Sequence, residues 1–428
     1  RALVTEHFAW PLRFSRDGSV LLYVDAADGP HPVLRALDSG SQRALPVSPG
    51  GDDAGLRFAT TQRHAFVVGA RFGAGPVAAF ELDGTPIELD ERWGAMELRV
   101  DFRGAGAALQ TPAERAPFVA LFDDEAGAVV ETRGQQRAER WVEAGLLLSS
   151  VPTPADPSGA GLVVRSRDGA QRSIDDTRPG ERRLDARTLC VWSRTDFRLR
   201  ATRFADGRFM ETPLADDPLQ LRAVGGLCVA QLADALVIVD PARRVVDRVE
   251  GRSDVGQVAF LDADDGAVLA LGPPRDGRAD GRCGDEASEL RVYDGVVDPP
   301  LPGRGPFVAG ARQLLLFACA QGRPVLHRWS RGQAAPELVS ADIPPQPGFV
   351  SPDRTRAVFF DRVTAPTVDN PNGFISARPW RVSLDADDPE LRRVSDRPRR
   401  VRELALSDSH LALATANEEG WLLEVLEL

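Results

Sequence analysis

The chain contains no lysine, so all 52 of its basic residues are arginine, set against 63 acidic ones. Asparagine is nearly as scarce. We read both scarcities as the residue bias of a GC-rich genome, not as a functional device. The formal charge is −11. A chain so charged lacks the basic face that general nucleic-acid binding needs, and no nucleic-acid partner is expected. No run of about 18 apolar residues exists, which leaves no candidate for a membrane-spanning helix. No secretory leader is visible, but the chain starts at Arg1 with no Met, so a leader processed away is allowed for.

Familiar catalytic signatures are missing too. There is no Gly-x-Ser-x-Gly nucleophile elbow and no α/β-hydrolase pattern to carry one. No Walker-type phosphate loop occurs. The five histidines (His7, His31, His64, His327 and His410) are far apart and form no His-x-His or His-x-x-x-His pair. Zinc ligation would need them to converge from distant segments, so they read as structural or surface side chains. Ser409 and His410 are adjacent, but neighbours on a strand point to opposite faces, which makes them a poor nucleophile–base pair.

What the chain has in quantity is turns and short apolar strands. Gly and Pro number 39 and 33, about one residue in six, which suits a protein of many tight turns. The stretch from Arg13 to Asp25 reads as a strand, a turn at Asp17-Gly18 and a second, more apolar strand. Strand–turn patterns of this kind recur in units that begin near residues 11, 55, 96, 137, 182, 219, 256, 306, 348 and 402. Each holds four short strands, and Asp-Gly turns at Asp83-Gly84, Asp168-Gly169 and Asp206-Gly207 join third strands to fourth. The mean spacing of about 43 residues is that of a four-stranded propeller blade. The expected fold is therefore all-β, a single β-propeller domain over residues 1–428 with about ten blades. The last unit has only three strands of its own. Residues 1–8 are expected to supply the fourth by pairing with Trp421 to Leu428, closing the ring and removing an open edge.

Phe14-Ser15-Arg16-Asp17-Gly18 and Val350-Ser351-Pro352-Asp353 resemble the repeat of TolB-like propellers, roughly Phe-Ser-Pro-Asp-Gly followed by a short apolar strand. The match is close in these two units, and the other units share the strand order only. The resemblance implies a propeller, often periplasmic or surface-exposed, used as a protein-binding platform.

Two long insertions interrupt the short connections, both after the second strand of their unit. Gly272 to Ser288 carries Asp276, Asp280 and Asp285, and Thr364 to Ala377 carries Asp369, Asn370, Asn372 and Phe374. Projecting from one rim of a rigid scaffold, these residues are the candidate partner-binding positions. Of the four cysteines, Cys190 and Cys228 sit among apolar neighbours in second strands and read as buried free thiols. Cys283 and Cys319 lie on one rim of adjacent units and are expected to form a disulfide closing a loop of about 36 residues, which implies an oxidising compartment. The acidic stretches Asp262 to Asp265 and Asp385 to Asp388 read as solvated turns: no cofactor is expected, with calcium the one weak possibility. Trp329, Trp380 and Trp421 recur on third strands, which suits packing between blades.

The expected function is a non-catalytic binding or scaffold protein presenting rim loops to a protein partner, periplasmic, associated with the outer membrane or extracellular. The alternatives are a propeller lyase or glycoside hydrolase with carboxylates and Arg at the central channel, and a structural subunit of a larger envelope assembly.

Overall fold

The computed structural model describes residues 2–47, 56–69, 77–89, 97–100, 106–110, 119–125, 128–131, 136–150, 161–166, 170–174, 180–250, 258–263, 266–271, 289–293, 301–302, 304–310, 313–320, 323–330, 333–340, 349–364, 375–385, 391–396, 399–416 and 421–428. All regular structure among them is β. The strands run as ten successive antiparallel four-stranded blades. Blade 1 is Phe8–Phe14, Val20–Asp25, His31–Ala36 and Gln42–Ala44; blade 2 is Leu56–Thr60, His64–Gly69, Val77–Glu81 and Pro86–Ile87. Blade 3 is Glu97–Val100, Gly106–Gln110, Val119–Asp123 and Ala128–Glu131; blade 4 is Gln136–Val142, Gly145–Ser150, Leu162–Arg165 and Gln171–Ile174. Blade 5 is Glu181–Leu184, Thr188–Ser193, Arg198–Arg203 and Phe209–Pro213; blade 6 is Gln220–Val224, Leu227–Gln231, Ala235–Asp240 and Val245–Glu250. Blade 7 is Val258–Ala263, Gly266–Leu271, Glu289–Tyr293 and Leu301–Pro302; blade 8 is Arg304–Ala309, Gln313–Ala320, Arg323–Ser330 and Glu337–Ser340. Blade 9 is Phe349–Val350, Arg356–Thr364, Ile375–Ser383 and Arg392–Arg393. Blade 10 is Arg399–Leu406, His410–Ala416 and Trp421–Glu427, and its fourth strand is the N-terminal Ala2–Thr5. The protein is thus a β-propeller of four-stranded blades, and the N-terminal strand completes the last blade as expected. The pairing sets Ala2 opposite Val425 and Thr5 opposite Leu423, with a bulge between Leu3 and Thr5.

The blades gather into two compact units. One comprises residues Arg1–Gln171, Thr364–Ala377 and Pro398–Leu428, and the other Arg172–Val363 and Arg378–Arg397.

In the first unit, the first strands of blades 10, 1, 2, 3 and 4 lie against one another in that order. In the second unit the same holds for blades 5 and 6, and for blades 7, 8 and 9. First strands therefore converge. Burial then falls outwards across a blade. The second strands Val20–Asp25 and Thr188–Ser193 are almost wholly buried, whereas the fourth strand Gln42–Ala44 is exposed throughout. Apolar side chains from facing blades make the cores. Leu21, Tyr23 and Val33 of blade 1 meet Ala412, Ala414, Leu423 and Val425 of blade 10, with Trp421 packed at the margin. Leu315 and Leu326 of blade 8 meet Ala357 and Phe359 of blade 9, with Trp380 at the margin. Trp380 and Trp421 thus pack between blades, as expected, and Trp329 is buried with its indole N–H donating to the Gln333 carbonyl at 3.0 Å.

The turn between first and second strands explains the repeat motif. In blade 1 the Ser15 hydroxyl donates to the Asp17 carboxylate at 2.6 Å and accepts from the Val20 N–H at 2.9 Å, while Ser19 donates to Asp17 from its N–H and its hydroxyl. In blade 9, Ser351, Asp353, Thr355 and Arg356 repeat these bonds. The position after the Asp is left-handed in both, Gly18 at φ 73° and Arg354 at φ 62°. Arg354 makes up for its unfavourable φ by donating to the Gly310 carbonyl of blade 8 at 2.9 Å. Blades 2 and 10 keep only the hydroxyl, Thr61 and Ser407.

One boundary differs from expectation. Blade 10 begins at Arg399, and its Arg399–Val401 pairs with Ile375–Ala377 of blade 9, so these two blades form one eight-stranded sheet. The cause is a length mismatch. The third strand of blade 9 has nine residues, but its fourth strand covers only Trp380 and Arg381. The uncovered edge is filled by the next strand.

Candidate functional site

Of the two insertions expected to bind a partner, Gly272 to Ser288 and residues 365–374 of the other lie outside the described residues, and with them Asp276, Asp280, Asp285, Asp369, Asn370, Asn372 and Phe374. The ends of the second insertion belong to strands: Thr364 closes Arg356–Thr364 and Ile375–Ala377 opens Ile375–Ser383. Cys283 also lies outside the described residues, which leaves the expected Cys283–Cys319 disulfide untested; Cys319 itself stands in the second strand of blade 8, opposite Pro324. Of the acidic stretches, Asp262 lies within the strand Val258–Ala263, paired with Ala267, Asp385 follows the strand Ile375–Ser383, and the remaining acids lie outside the described residues.

The insertions join second strands to third. Antiparallel order puts such turns at the same blade end as the connections leading into the next blade. In blades 5 and 6 that edge is described without interruption, and it carries two exposed apolar side chains. Phe197, in the turn from Ser193 to Arg198, is 49% exposed, and Leu219, just before blade 6, is 68% exposed. Phe197 has φ 52°, an unfavourable conformation for an aromatic residue. Two contacts hold it there. The Leu214 N–H donates to its carbonyl at 3.0 Å, and its ring meets buried Trp192 edge-on with centroids 6.1 Å apart. Arg194 pairs with Asp217 at 3.6 Å, tying the Phe197 turn to the connection that carries Leu219. The Leu219 N–H donates to the Gln231 carbonyl at 2.8 Å. The polar surround is acidic on balance: Asp196, Asp216, Asp217 and Asp234 are exposed, against Arg194, Arg198 and Arg248. Arg248 bonds Glu250 at 2.5 Å and Asp234 at 3.2 Å, and the Glu250 bond leads in raising its pKa, with the Asp216 charge a smaller contributor.

Beneath this edge Cys190 and Cys228 form a disulfide, with Cα atoms 5.6 Å apart. This corrects the reading of both as free thiols. The two second strands differ by one place in register. Cys190 is the second residue after Thr188, which closes the turn of blade 5, whereas Cys228 is the first after Leu227, which closes that of blade 6. Since alternate residues face opposite ways, the thiols point from neighbouring blades into the same gap. The shift was readable only once the turn closures were known. Cys190, Trp192, Leu199, Leu221, Cys228 and Ala230 share one core there.

Two other polar groupings were weighed as chemistry. Thr61, His64 and Asp124 are all buried. Asp124 Oδ1 accepts from the Thr61 hydroxyl and lies 2.6 Å from His64 Nδ1, and Asp124 Oδ2 accepts from the Arg63 N–H at 3.2 Å. Thr61 and His64 both bond the one carboxylate, and the buried cluster ties blade 2 to blade 3. Sequence reading missed it because Asp124 lies 60 residues beyond His64. Ser409 Oγ and His410 Nδ1 lie 2.8 Å apart, contrary to the expectation of opposite faces. Ser409 belongs to the turn before the strand His410–Ala416, so strand alternation does not govern it. Burial lowers the His410 pKa, partly offset by the charge of Glu427 opposite it. Among the described residues no three His, Cys, Asp or Glu side chains are grouped to hold a metal, and no helix is long and apolar enough to cross a membrane.

No family model matches the chain. No curated protein matches it either. Among solved structures it is similar to a eukaryotic initiation factor at 11% identity and TM-score 0.42, over 92% of this chain and 89% of the other. It is similar to dipeptidyl peptidase 4 of Porphyromonas gingivalis at 11% identity and TM-score 0.42, over 95% of this chain and 64% of the peptidase, so it spans under two thirds of that protein. It is similar to the WD40 domain of SCAP from fission yeast at 7% identity and TM-score 0.36, over 90% and 93%.

Proposed function

We propose that the protein is a non-catalytic binding platform of the TolB-like kind, displaying blade edges to a protein partner outside the cytoplasm. The observation that carries the reading is the pair Phe197 and Leu219. Two large apolar side chains stand about half exposed or more on one edge, one of them in a backbone conformation that costs about 1–2 kcal/mol. Partly exposed aromatic anchors ringed by polar groups are what protein interfaces bury at their centres. The acidic surround favours a partner whose contact segment is basic. The Cys190–Cys228 disulfide supports a location in an oxidising compartment, since such bonds are rare in reducing cytosol.

The test is affinity capture from extract of the producing cells with the wild type, with Phe197→Gly plus Leu219→Ser, and with Phe209→Ser at the other end of blade 5. Glycine suits φ 52°, so the double variant is expected to fold. A stoichiometric partner held by the wild type and by Phe209→Ser, but lost with the double variant, is the expected result. Equal capture by all three refutes the assignment of this edge, and no stoichiometric partner refutes the platform reading.

A further inference from the structure

We propose a second site in the first unit, where the converging first strands bind a small, multiply charged oxyanion, a polycarboxylate or a phosphate compound, through arginine. The five strands Arg399–Leu406, Phe8–Phe14, Leu56–Thr60, Glu97–Val100 and Gln136–Val142 carry eight arginines against three glutamates, Glu97, Glu139 and Glu403. That is a local excess of five positive charges in a chain of net charge −11. Of these arginines, Arg13, Arg57 and Arg140 have described side chains, and all three are exposed, on first strands that lie against their neighbours in turn.

Arg13 and Arg57 show how the side chains are presented. Arg13 is exposed between buried Leu12 and Phe14, and Arg57 is exposed between buried Leu56 and Phe58. Strand alternation therefore sends both guanidinium groups away from the blade cores. The Thr60 hydroxyl donates to the Phe14 carbonyl at 3.0 Å, which ties these two strands side by side. Arg57 lies three residues before Thr60 and Arg13 one residue before Phe14, so the two are staggered by two residues, about 7 Å, along these strands. Two long side chains span that distance to one polyvalent ligand. Arg99, opposite Ala108, and exposed Arg140, opposite Leu147, stand on the next two converging strands. Of the three acids, Glu139 accepts a bond from the Ser149 hydroxyl of its own blade at 2.5 Å. Arginine offers paired N–H donors that match the two oxygens of a carboxylate or phosphate.

The test is calorimetric titration of the whole protein at low salt with citrate and, separately, with inorganic pyrophosphate. The variants are Arg13→Gln plus Arg57→Gln, with Arg248→Gln on blade 6 as control; all three positions are exposed, so folding is preserved. Single-site binding of citrate, of pyrophosphate or of both supports the proposal when it weakens about tenfold or more in the double variant, the loss expected for two charge-assisted bonds, and is unchanged in Arg248→Gln. Binding of one probe alone assigns the ligand to that class. No binding of either probe at millimolar concentration overturns the proposal, as does equal weakening in Arg248→Gln.

Discussion

The Cys190–Cys228 bond makes a prediction whose size follows from the chain. The two cysteines are 38 residues apart. A cross-link closing a loop of that size removes about 13 cal/mol/K from the unfolded ensemble, worth about 4 kcal/mol at 25 °C on the chain-entropy account. Both cysteines belong to the second compact unit, so the unfolding transition of that unit carries the effect. The perturbation is Cys190→Ala plus Cys228→Ala, compared with the oxidised wild type by urea denaturation followed by tryptophan fluorescence, which buried Trp192 reports from the same core. The variant is expected to unfold at lower urea and with a steeper dependence on denaturant, because its unfolded chain is freed to expose more surface. The reduced wild type, which keeps both sulfur atoms in the core, separates lost packing from lost connectivity. A difference under about 1 kcal/mol between oxidised and reduced protein, with unchanged slope, would refute the chain-entropy account here. Thiol counting in denaturant is expected to find neither Cys190 nor Cys228 reactive before reduction, and finding both reactive refutes the bond itself.

Two further predictions concern turns. Gly145 has φ 140°, and a Cβ built there falls 2.1 Å from the Arg165 carbonyl oxygen, so Gly145→Ala is expected to cost about 1–3 kcal/mol; an unchanged melting temperature would contradict this. Burial alone would raise the Asp17 pKa, but the bonds from Ser15 and Ser19 hold it below the ordinary 3.8. A depressed carboxyl contributes stability that is present above pH 3.8 and is lost as pH falls through the lower folded value. Asp17→Asn is therefore expected to flatten stability against pH below about 4, and an acid limb as steep as that of the wild type would exclude a role for this turn.

The blade count and the strand exchange between chain ends were legible because both are local signals. Four short apolar runs recur at a steady interval, and a last unit one strand short leaves one place for Ala2–Thr5. The turn motif was visible at Ser15-Arg16-Asp17-Gly18 and Ser351-Pro352-Asp353, and its hydrogen bonds show what the letters stand for. The same bonds explain why the motif fades elsewhere: blade 10 closes the turn with the Ser407 hydroxyl, and blade 2 with the Thr61 hydroxyl and a carboxylate borrowed from blade 3, Asp124. What the sequence concealed was anything decided between blades. The disulfide depends on a one-residue difference in where two turns close, and the Thr61–His64–Asp124 cluster joins residues from separate blades.

The same distinction separates the two proposed surfaces. Arg13 and Arg57 each look unremarkable alone, an exposed residue between two apolar ones. Only the mutual contact of those strands brings the two onto neighbouring segments. Like charges gathered at converging strands repel one another, which costs stability unless an anion lies among them. The Phe197 edge follows a parallel logic: a left-handed aromatic residue also costs stability, and burial against a partner would offset it. In both places the chain retains an arrangement unfavourable to the isolated fold, which is where binding is best sought.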